Sequence, residues 1–505
     1  MQHAALDISG WIAHWANWTP DKAALRFDGA TLSYAQLERD VGSVAAWLRA
    51  RDVSPGDRVG YLGSNCPELL ELLFACARLG AIFVPLNIRM PSAELRVFVD
   101  AVRPSLLVAE RDLQAAAVDS MQERDRVKMF RAGGGFTGRV ADRGSQTSAV
   151  DAASPVLILF TSGTTGRPKG ATFTHRNTTF SALNVVTALG LTAADEIVTT
   201  VPMFHTGGLF IHTLPGLFVG ATVTIHRAFD PGLLLEEIQG RRITLLACVP
   251  AMTFALAAHP AWTKADLSSL RCVHTGSTVV TRRAIEPWQA KGVSIVQGYG
   301  GTEATPTATT MPPDSPPEAA FWAGKPTLYT QMRVVDDAGR DVAAGTPGEV
   351  WFSGPAVAQG YWENDQATRE AFRDGWFRTG DLGLIDDDGC LHVVGRIKDV
   401  IIVGGSNVDP RDLEAVLESC AAIKEAAVVG RPDDELGEVP VACIVPTDGR
   451  SITSEEVLAL FERRLAAYKH PRGVIVLGAL PRNWHGKIDR AALRELAAEL
   501  PRKVR

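Results

Sequence analysis

The sequence predicts an α/β protein with largely parallel sheets, followed by a smaller α+β unit. Apolar, β-rich runs alternate with amphipathic helical patterns through most of the chain. After a proline-rich loop at 311–317 the pattern changes to shorter strands with Asp/Gly turns. In order, 34–50 and 68–79 carry apolar residues at helical spacing. The run 156–160 reads as a buried strand, as do 222–225, 243–249, 272–274 and 293–297. Shorter strands follow at 332–335, 349–353 and 391–394. The C-terminal stretch has a helix at 410–420 with Pro410 at its start, strands at 425–429 and 441–445, and a helix at 454–468.

A chain of 505 residues exceeds one compact core, so two or more domains are expected. With 46% hydrophobic and 21% charged residues, the composition is that of an ordinary globular protein. The net charge of −6 supplies no broad basic face for nucleic acid or anionic membrane, so a polyanion must be held by local groups. Seven cysteines without a CxxC pair fit reduced thiols better than a disulfide framework or a zinc site. Residues 1–7 lack a basic and an apolar signal region, and no apolar run spans a bilayer; a cytoplasmic protein without an integral membrane segment is expected.

The densest chemistry lies in Thr161-Ser162-Gly163-Thr164-Thr165-Gly166-Arg167-Pro168-Lys169-Gly170, directly after the strand at 156–160. Hydroxyls, glycine N–H groups and a lysine can cradle phosphates. The order is wrong for a Walker loop, which runs Gly-Lys-Ser/Thr into a helix; here Lys169 precedes the glycine and Pro168 precedes Lys169. Taken alone, the segment leans to nucleotide binding over a plain Ser/Thr/Gly-rich surface turn.

Four further segments repeat that ambiguity. Gln297-Gly298-Tyr299-Gly300-Gly301-Thr302-Glu303 follows a strand, where open α/β sheets bind ligands, and its hydroxyl and carboxylate suit a phosphate oxygen and Mg²⁺. Asp381 stands between Gly380 and Gly383, placed either to accept from a ribose diol or to cap a turn. Arg396-Ile397-Lys398-Asp399 opens an apolar strand that ends in Gly404-Gly405. Lys487 follows Gly486 in a loop, a mobile point charge for a phosphate or carboxylate.

Together and in this order, over about 31–490, these motifs resemble the adenylate-forming superfamily of acyl-CoA synthetases, luciferases and peptide-synthetase adenylation domains. The resemblance implies a large multi-subdomain N-terminal domain, 1–397, of layered α/β sheets plus a β-barrel-like part. It also implies a small mobile α+β C-terminal domain, 398–505, hinged at Lys398. The implied activity is ATP-dependent carboxylate–CoA ligation, with Mg²⁺ as cofactor and coenzyme A as co-substrate. Acyl-AMP and pyrophosphate form first, then acyl-CoA and AMP. A carrier-protein phosphopantetheine acceptor and a nucleotide-binding module without turnover are the alternatives.

By the same resemblance, Thr161, Ser162, Gly163, Thr164, Thr165, Gly166 and Lys169 form the β/γ-phosphate loop. Gly276, Ser277 and Thr278 line the adenine side, and Gly298, Tyr299 and Gly300 also bind the nucleotide; Thr302 touches phosphate and Glu303 holds Mg²⁺. Asp381 holds the ribose hydroxyls beside Arg396, and Lys487 bridges the acyl carboxylate and the α-phosphate. His205, as aromatic wall and gate, joins Thr206, Gly207, Gly208, Gly301 and Pro306 around the acyl group. Gly404, Gly405 and Ser406 line the pantetheine tunnel.

Three positions depart from common family wording: Gly301 for Met or Leu, Trp484-His485 for small residues, and Asp409 for Ser, Tyr or His. None removes a catalytic group. The acyl-pocket segments are small or apolar without an evident Lys or Arg, so an apolar monocarboxylic acid, fatty, aryl or alicyclic, is expected. The chain is expected to be a monomer or homodimer.

Overall fold

In a computed structural model, residues 6–123, 126–136, 150–161, 168–277, 280, 282–404, 406–433, 435–462, 464–483 and 486–500 are described. They fall into two compact units. The first takes Met1–Arg333, Trp351–Thr379 and Gly389–Leu391; the second takes Val334–Val350, Gly380–Asp388 and His392–Arg505.

Two large sheets organise the first unit, one of nine strands and one of eight. The middle of the nine-stranded sheet is parallel: Ala23–Phe27, Thr222–Ile225, Glu196–Thr199, Leu245–Cys248, Cys272–Gly276 and Ile295–Tyr299 lie side by side. In the eight-stranded sheet, Leu106–Glu110, Arg58–Leu62, Ile82–Pro85 and Pro155–Thr161 are parallel, and Lys169–Thr174 returns antiparallel to Pro155–Thr161.

The helices start and stop where local chemistry says they should. A reciprocal capping box of Ser33 and Gln36 opens Tyr34–Arg49, which buries Leu37, Val41, Val44, Ala45 and Leu48 at helical spacing. Pro67 begins Pro67–Leu79 at a position whose N–H is unneeded, and Gly80 ends it in the left-handed conformation. Every residue of that helix is buried, so it is a central packing element rather than a surface one.

Residues 331–396 include the strands Gln331–Val335, Gly348–Ser353, Phe372–Arg373, Trp376–Ile385 and Leu391–Arg396. Their residues are divided between the two units.

The second unit is built on the antiparallel pair Ile423–Asp433 and Gly437–Pro446. Its side chains alternate by two. Val428, Ala442 and Ile444 pack with Leu413 and Leu417 of the helix Pro410–Glu418. Ala427, Val429, Val441 and Cys443 pack with Leu493 and Ala497 of Arg490–Ala498. The helix expected at 454–468 is regular only over Ser454–Ala459. Beyond it, Leu460 and Phe461 N–H groups bond to carbonyls three residues back, which tightens the turn and delivers Phe461 to the core.

Candidate active site

Parallel pairing puts the carboxyl ends of Leu245–Cys248, Cys272–Gly276 and Ile295–Tyr299 on one edge, with Cys248 opposite Thr275 and Gly276 opposite Gly298. That edge is where open α/β sheets present ligand sites. Glycine is required at two points by close backbone approach. A Cβ on Gly276 would lie 2.4 Å from the Gly298 carbonyl oxygen, and one on Gly300 would lie 2.1 Å from that of Thr305.

A cavity with about 390 Å³ of empty space, solvent at its mouth included, opens at this edge. Gly207 and Pro306 of the expected acyl set line it, together with Gly276, Ser277, Gly298 and Gly300 of the expected nucleotide set. Val201, Ile211, Ala247, Cys248, Val249, His274 and Thr275 complete the wall. His205, Thr206, Gly208 and Gly301, all described residues, are not among its lining.

The segment that carries Gly207 is tightly folded. His205 precedes the single turn Thr206–Gly208, and a π-type turn follows at Leu209–Thr213, a local widening that recurs at functional sites. Gly208 has no room for a side chain, since a Cβ would meet the Pro202 carbonyl oxygen at 2.3 Å. His205 is half-buried, with its ring 4.5 Å from that of Phe204.

The second cluster of the first unit joins distant segments. Gly360–Tyr361 adds as a strand to Lys169–Thr174, pairing Tyr361 with Ala171. The Ala358 N–H donates to the Glu303 carbonyl at 2.8 Å, and the Trp362 N–H donates to the Gly170 carbonyl at 2.8 Å. Between these ties the Tyr361 hydroxyl donates to Glu303 Oε1 at 2.6 Å, and the Lys169 ammonium lies 5.2 Å from the Tyr361 ring centre. Burial first, and the Glu303 carboxylate second, hold the Tyr361 phenol far above the usual tyrosine range, so it remains a donor. Gly301 backs onto the same carboxylate, where a Cβ would be 3.2 Å from Glu303 Oε2. Thr302 accepts the Thr305 N–H on its carbonyl, and Tyr299 ends its strand with its ring 5.8 Å from Phe352.

In the second unit, Arg396 Nε stands 2.8 Å from Asp381 Oδ1. Lys398 and Asp399 form a short turn tied to Arg490–Ala498: Arg494 donates to the Lys398 carbonyl at 3.2 Å and to Asp399 Oδ1 at 2.8 Å. Gly404 and Ser406 sit at the tip of the hairpin Ile401–Val403 and Ser406–Val408, with Gly404 left-handed at φ 55°. Lys487 is exposed in a turn clamped by Asn483, whose N–H donates to the Lys487 carbonyl at 2.8 Å while its side-chain oxygen accepts the Lys487 N–H at 3.1 Å. Asp409 caps the helix Pro410–Glu418 through the Arg411 N–H. Ser162, Gly163, Thr164, Thr165, Gly166, Thr278 and Gly405, with Arg167, Trp484 and His485, lie outside the described residues.

Sequence reasoning missed two groups. Tyr361 lies 58 residues from Glu303, and only the Gly-Tyr-Trp step at 360–362 marks it. His274 stands in an apolar strand and His212 in an apolar turn, where a histidine reads as filler. Both are fully buried. Burial lowers the His274 imidazole to about 4 and, with His274 beside it, takes His212 well below the usual value.

The AMP-binding enzyme family matches the chain over residues 12–362, and the AMP-binding enzyme C-terminal domain matches over 412–487. The chain belongs to this family, in its adenylate-forming acyl-CoA synthetase branch. It is similar to the indoleacetate–CoA ligase of Aromatoleum aromaticum, 41% identical over 98% of both chains. It is 40% identical to the feruloyl-CoA synthase of an Amycolatopsis species, over 96% of this chain and 98% of that one. Among solved structures, ATP-bound MatB from Rhodopseudomonas palustris superposes with a TM-score of 0.91 at 31% identity, over 97% of this chain and 99% of that one. The protein is an AMP-forming acyl-CoA ligase that uses ATP and coenzyme A. Among the described residues no helix is long and apolar enough to cross a membrane.

Proposed function

We propose that this ligase activates an aromatic monocarboxylic acid. The observation that carries the reading is the cavity at the strand ends. Its wall is made of small and apolar side chains with neutral histidine, and among the described residues no lysine or arginine lines it. A flat apolar body fits such a wall, and a second carboxylate would lack a partner there. The names of the indoleacetate and feruloyl relatives support the same class of acid.

In the first half-reaction a carboxylate oxygen of the acid attacks the α-phosphorus of ATP, and the bond to the β-phosphate bridge breaks. Pyrophosphate leaves. This step needs positioning and neutralisation more than proton transfer, since a carboxylate has no proton to lose. Thr161, Lys169 and Thr302 are assigned to the phosphates, Gly276 and Ser277 to the base, Asp381 with Arg396 to the ribose, and Gly298, Tyr299 and Gly300 to the nucleotide as a whole. Lys487 neutralises charge between the acyl carboxylate and the α-phosphate. In the second half-reaction the thiol sulfur attacks the acyl carbon and AMP leaves, with Gly404 and Ser406 assigned to the pantetheine arm. Residues 398–505 are assigned to a mobile domain turning at Lys398.

The donor chemistry at Glu303 fits Mg²⁺. It is a hard carboxylate on a glycine-rich strand end, with Oε1 fixed by Tyr361. Magnesium typically takes one or two carboxylates and draws its remaining ligands from phosphate and water. The ion would neutralise the triphosphate.

A hydroxamate-trapping screen over benzoates, cinnamates, arylacetates, fatty acids and alicyclic acids tests this reading. Aromatic acids are expected to give the highest kcat/KM. A clear preference for long-chain or alicyclic acids would replace the assignment.

A further inference from the structure

The cavity wall holds a buried imidazole that nothing in the adenylation chemistry uses. His274 lies on the strand Cys272–Gly276, only 1% exposed, and neither ring nitrogen has a hydrogen-bond partner among the described residues. Its neighbour His212, ring centres 5.9 Å away, is 2% exposed, and its two nitrogens likewise have no hydrogen-bond partner among the described residues. Thr275 Oγ1, beside His274 in the wall, is in the same condition. Unpartnered buried polar groups are few in native proteins, because each forfeits its hydration, and they call for an explanation. Space has been left for this one. Gly298, on the adjacent strand, covers the imidazole, and a Cβ there would come within 2.2 Å of His274 Nε2.

We infer that His274 is a polar anchor in the acyl pocket, selecting acids whose aromatic body carries a neutral hydrogen-bonding group, a ring hydroxyl or ring N–H, in addition to the carboxylate. A neutral imidazole offers one N–H donor and one lone pair, so it serves a phenol as donor or acceptor and an indole N–H as acceptor. Burial keeps the ring neutral at physiological pH, which removes its attraction for an anionic group and leaves the neutral one. His212, outside the lining, acts as a positioning residue that packs against the imidazole.

The inference rests on the aromatic-acid reading, and the test separates the two. Pyrophosphate release is measured with matched pairs, indole-3-acetate against 1-naphthylacetate and 4-hydroxycinnamate against cinnamate, in wild type, His274→Leu and His274→Gln. The ratio of kcat/KM within a pair is independent of how much enzyme is folded. Wild type is expected to favour the hydrogen-bonding member by about tenfold or more, because a site built around a polar partner discriminates strongly against the analogue lacking it. In His274→Leu the ratio collapses to within about twofold of unity, mainly through KM for the favoured acid, and His274→Gln restores part of it. Turnover of both members with a wild-type ratio near one, or a ratio unchanged in His274→Leu, would overturn the anchor alone. Failure of every aromatic acid would overturn the aromatic reading and the anchor with it.

Discussion

The hydroxyl of Tyr361 donates a 2.6 Å hydrogen bond to Oε1 of Glu303, tying a short added strand to the carboxylate assigned to magnesium. The pair is buried, and the phenol stays protonated over the working pH range. It therefore fixes one oxygen of the carboxylate and orients the other.

Tyr361→Phe removes that donor from a buried carboxylate. A lost hydrogen bond to a charged group costs about 1.5–3 kcal/mol, so KM for Mg·ATP should rise about tenfold or more. Titrating Mg²⁺ at fixed ATP checks it, because the shift should be larger in the Mg²⁺ dependence than in KM for the acid.

Gly298→Ala places a methyl group 2.2 Å from His274 Nε2 in a close-packed strand edge. Overpacking of this kind costs about 1–3 kcal/mol, and the imidazole must move. The urea midpoint should fall, and kcat/KM for bulky acids should fall further than for small ones.

Acidification should destabilise the fold through its buried histidines. Their folded-state affinity for protons is depressed, to about 4 for His274 against an ordinary 6.5. The unfolded chain then binds more protons than the native one, so stability rises with pH across that window and is lost as pH falls through it. For His274 the full window corresponds to about 3 kcal/mol. Urea midpoints between pH 7 and pH 4 should fall, and His274→Leu should flatten the dependence.

Asp381→Asn should raise KM for ATP about tenfold while leaving KM for the acid within about twofold, because the lost acceptor belongs to the ribose. Arg396, at 48% side-chain exposure, is screened by solvent, so Arg396→Gln should have the smaller effect on ATP binding. Initial rates at varied ATP and at varied acid separate the two.

Much of this arrangement was legible in the chain. The strand Pro155–Thr161 and the helices Tyr34–Arg49 and Pro67–Leu79 follow from periodicity and caps that act within a few residues. The glycine-rich strand ends were visible as glycine clusters after apolar runs, and a Cβ would meet the Gly298 carbonyl at Gly276 and the His274 ring at Gly298. Tyr361 was not, since its partner lies far along the chain and only tertiary pairing with Lys169–Thr174 brings them together. His274 escaped for a different reason. A lone histidine in an apolar strand is ordinarily a satisfied core residue, and what marks this one is that it has no hydrogen-bond partner among the described residues while lining a cavity.

The central claim is acyl-adenylate chemistry on an aromatic acid with Lys487 at the reacting centre. The most direct measurement resolves nucleotide products from ATP, coenzyme A and indole-3-acetate, in wild type and Lys487→Ala, beside a second assay supplied with the acyl-adenylate. The account predicts AMP, pyrophosphate and thioester in equal amounts from wild type, only when acid is present. It predicts at least a hundredfold loss of acyl-adenylate formation in Lys487→Ala, about 3 kcal/mol of charge stabilisation, with thioester formation from supplied adenylate largely spared. ADP as product, AMP released without acid, or equal loss of both half-reactions would contradict it.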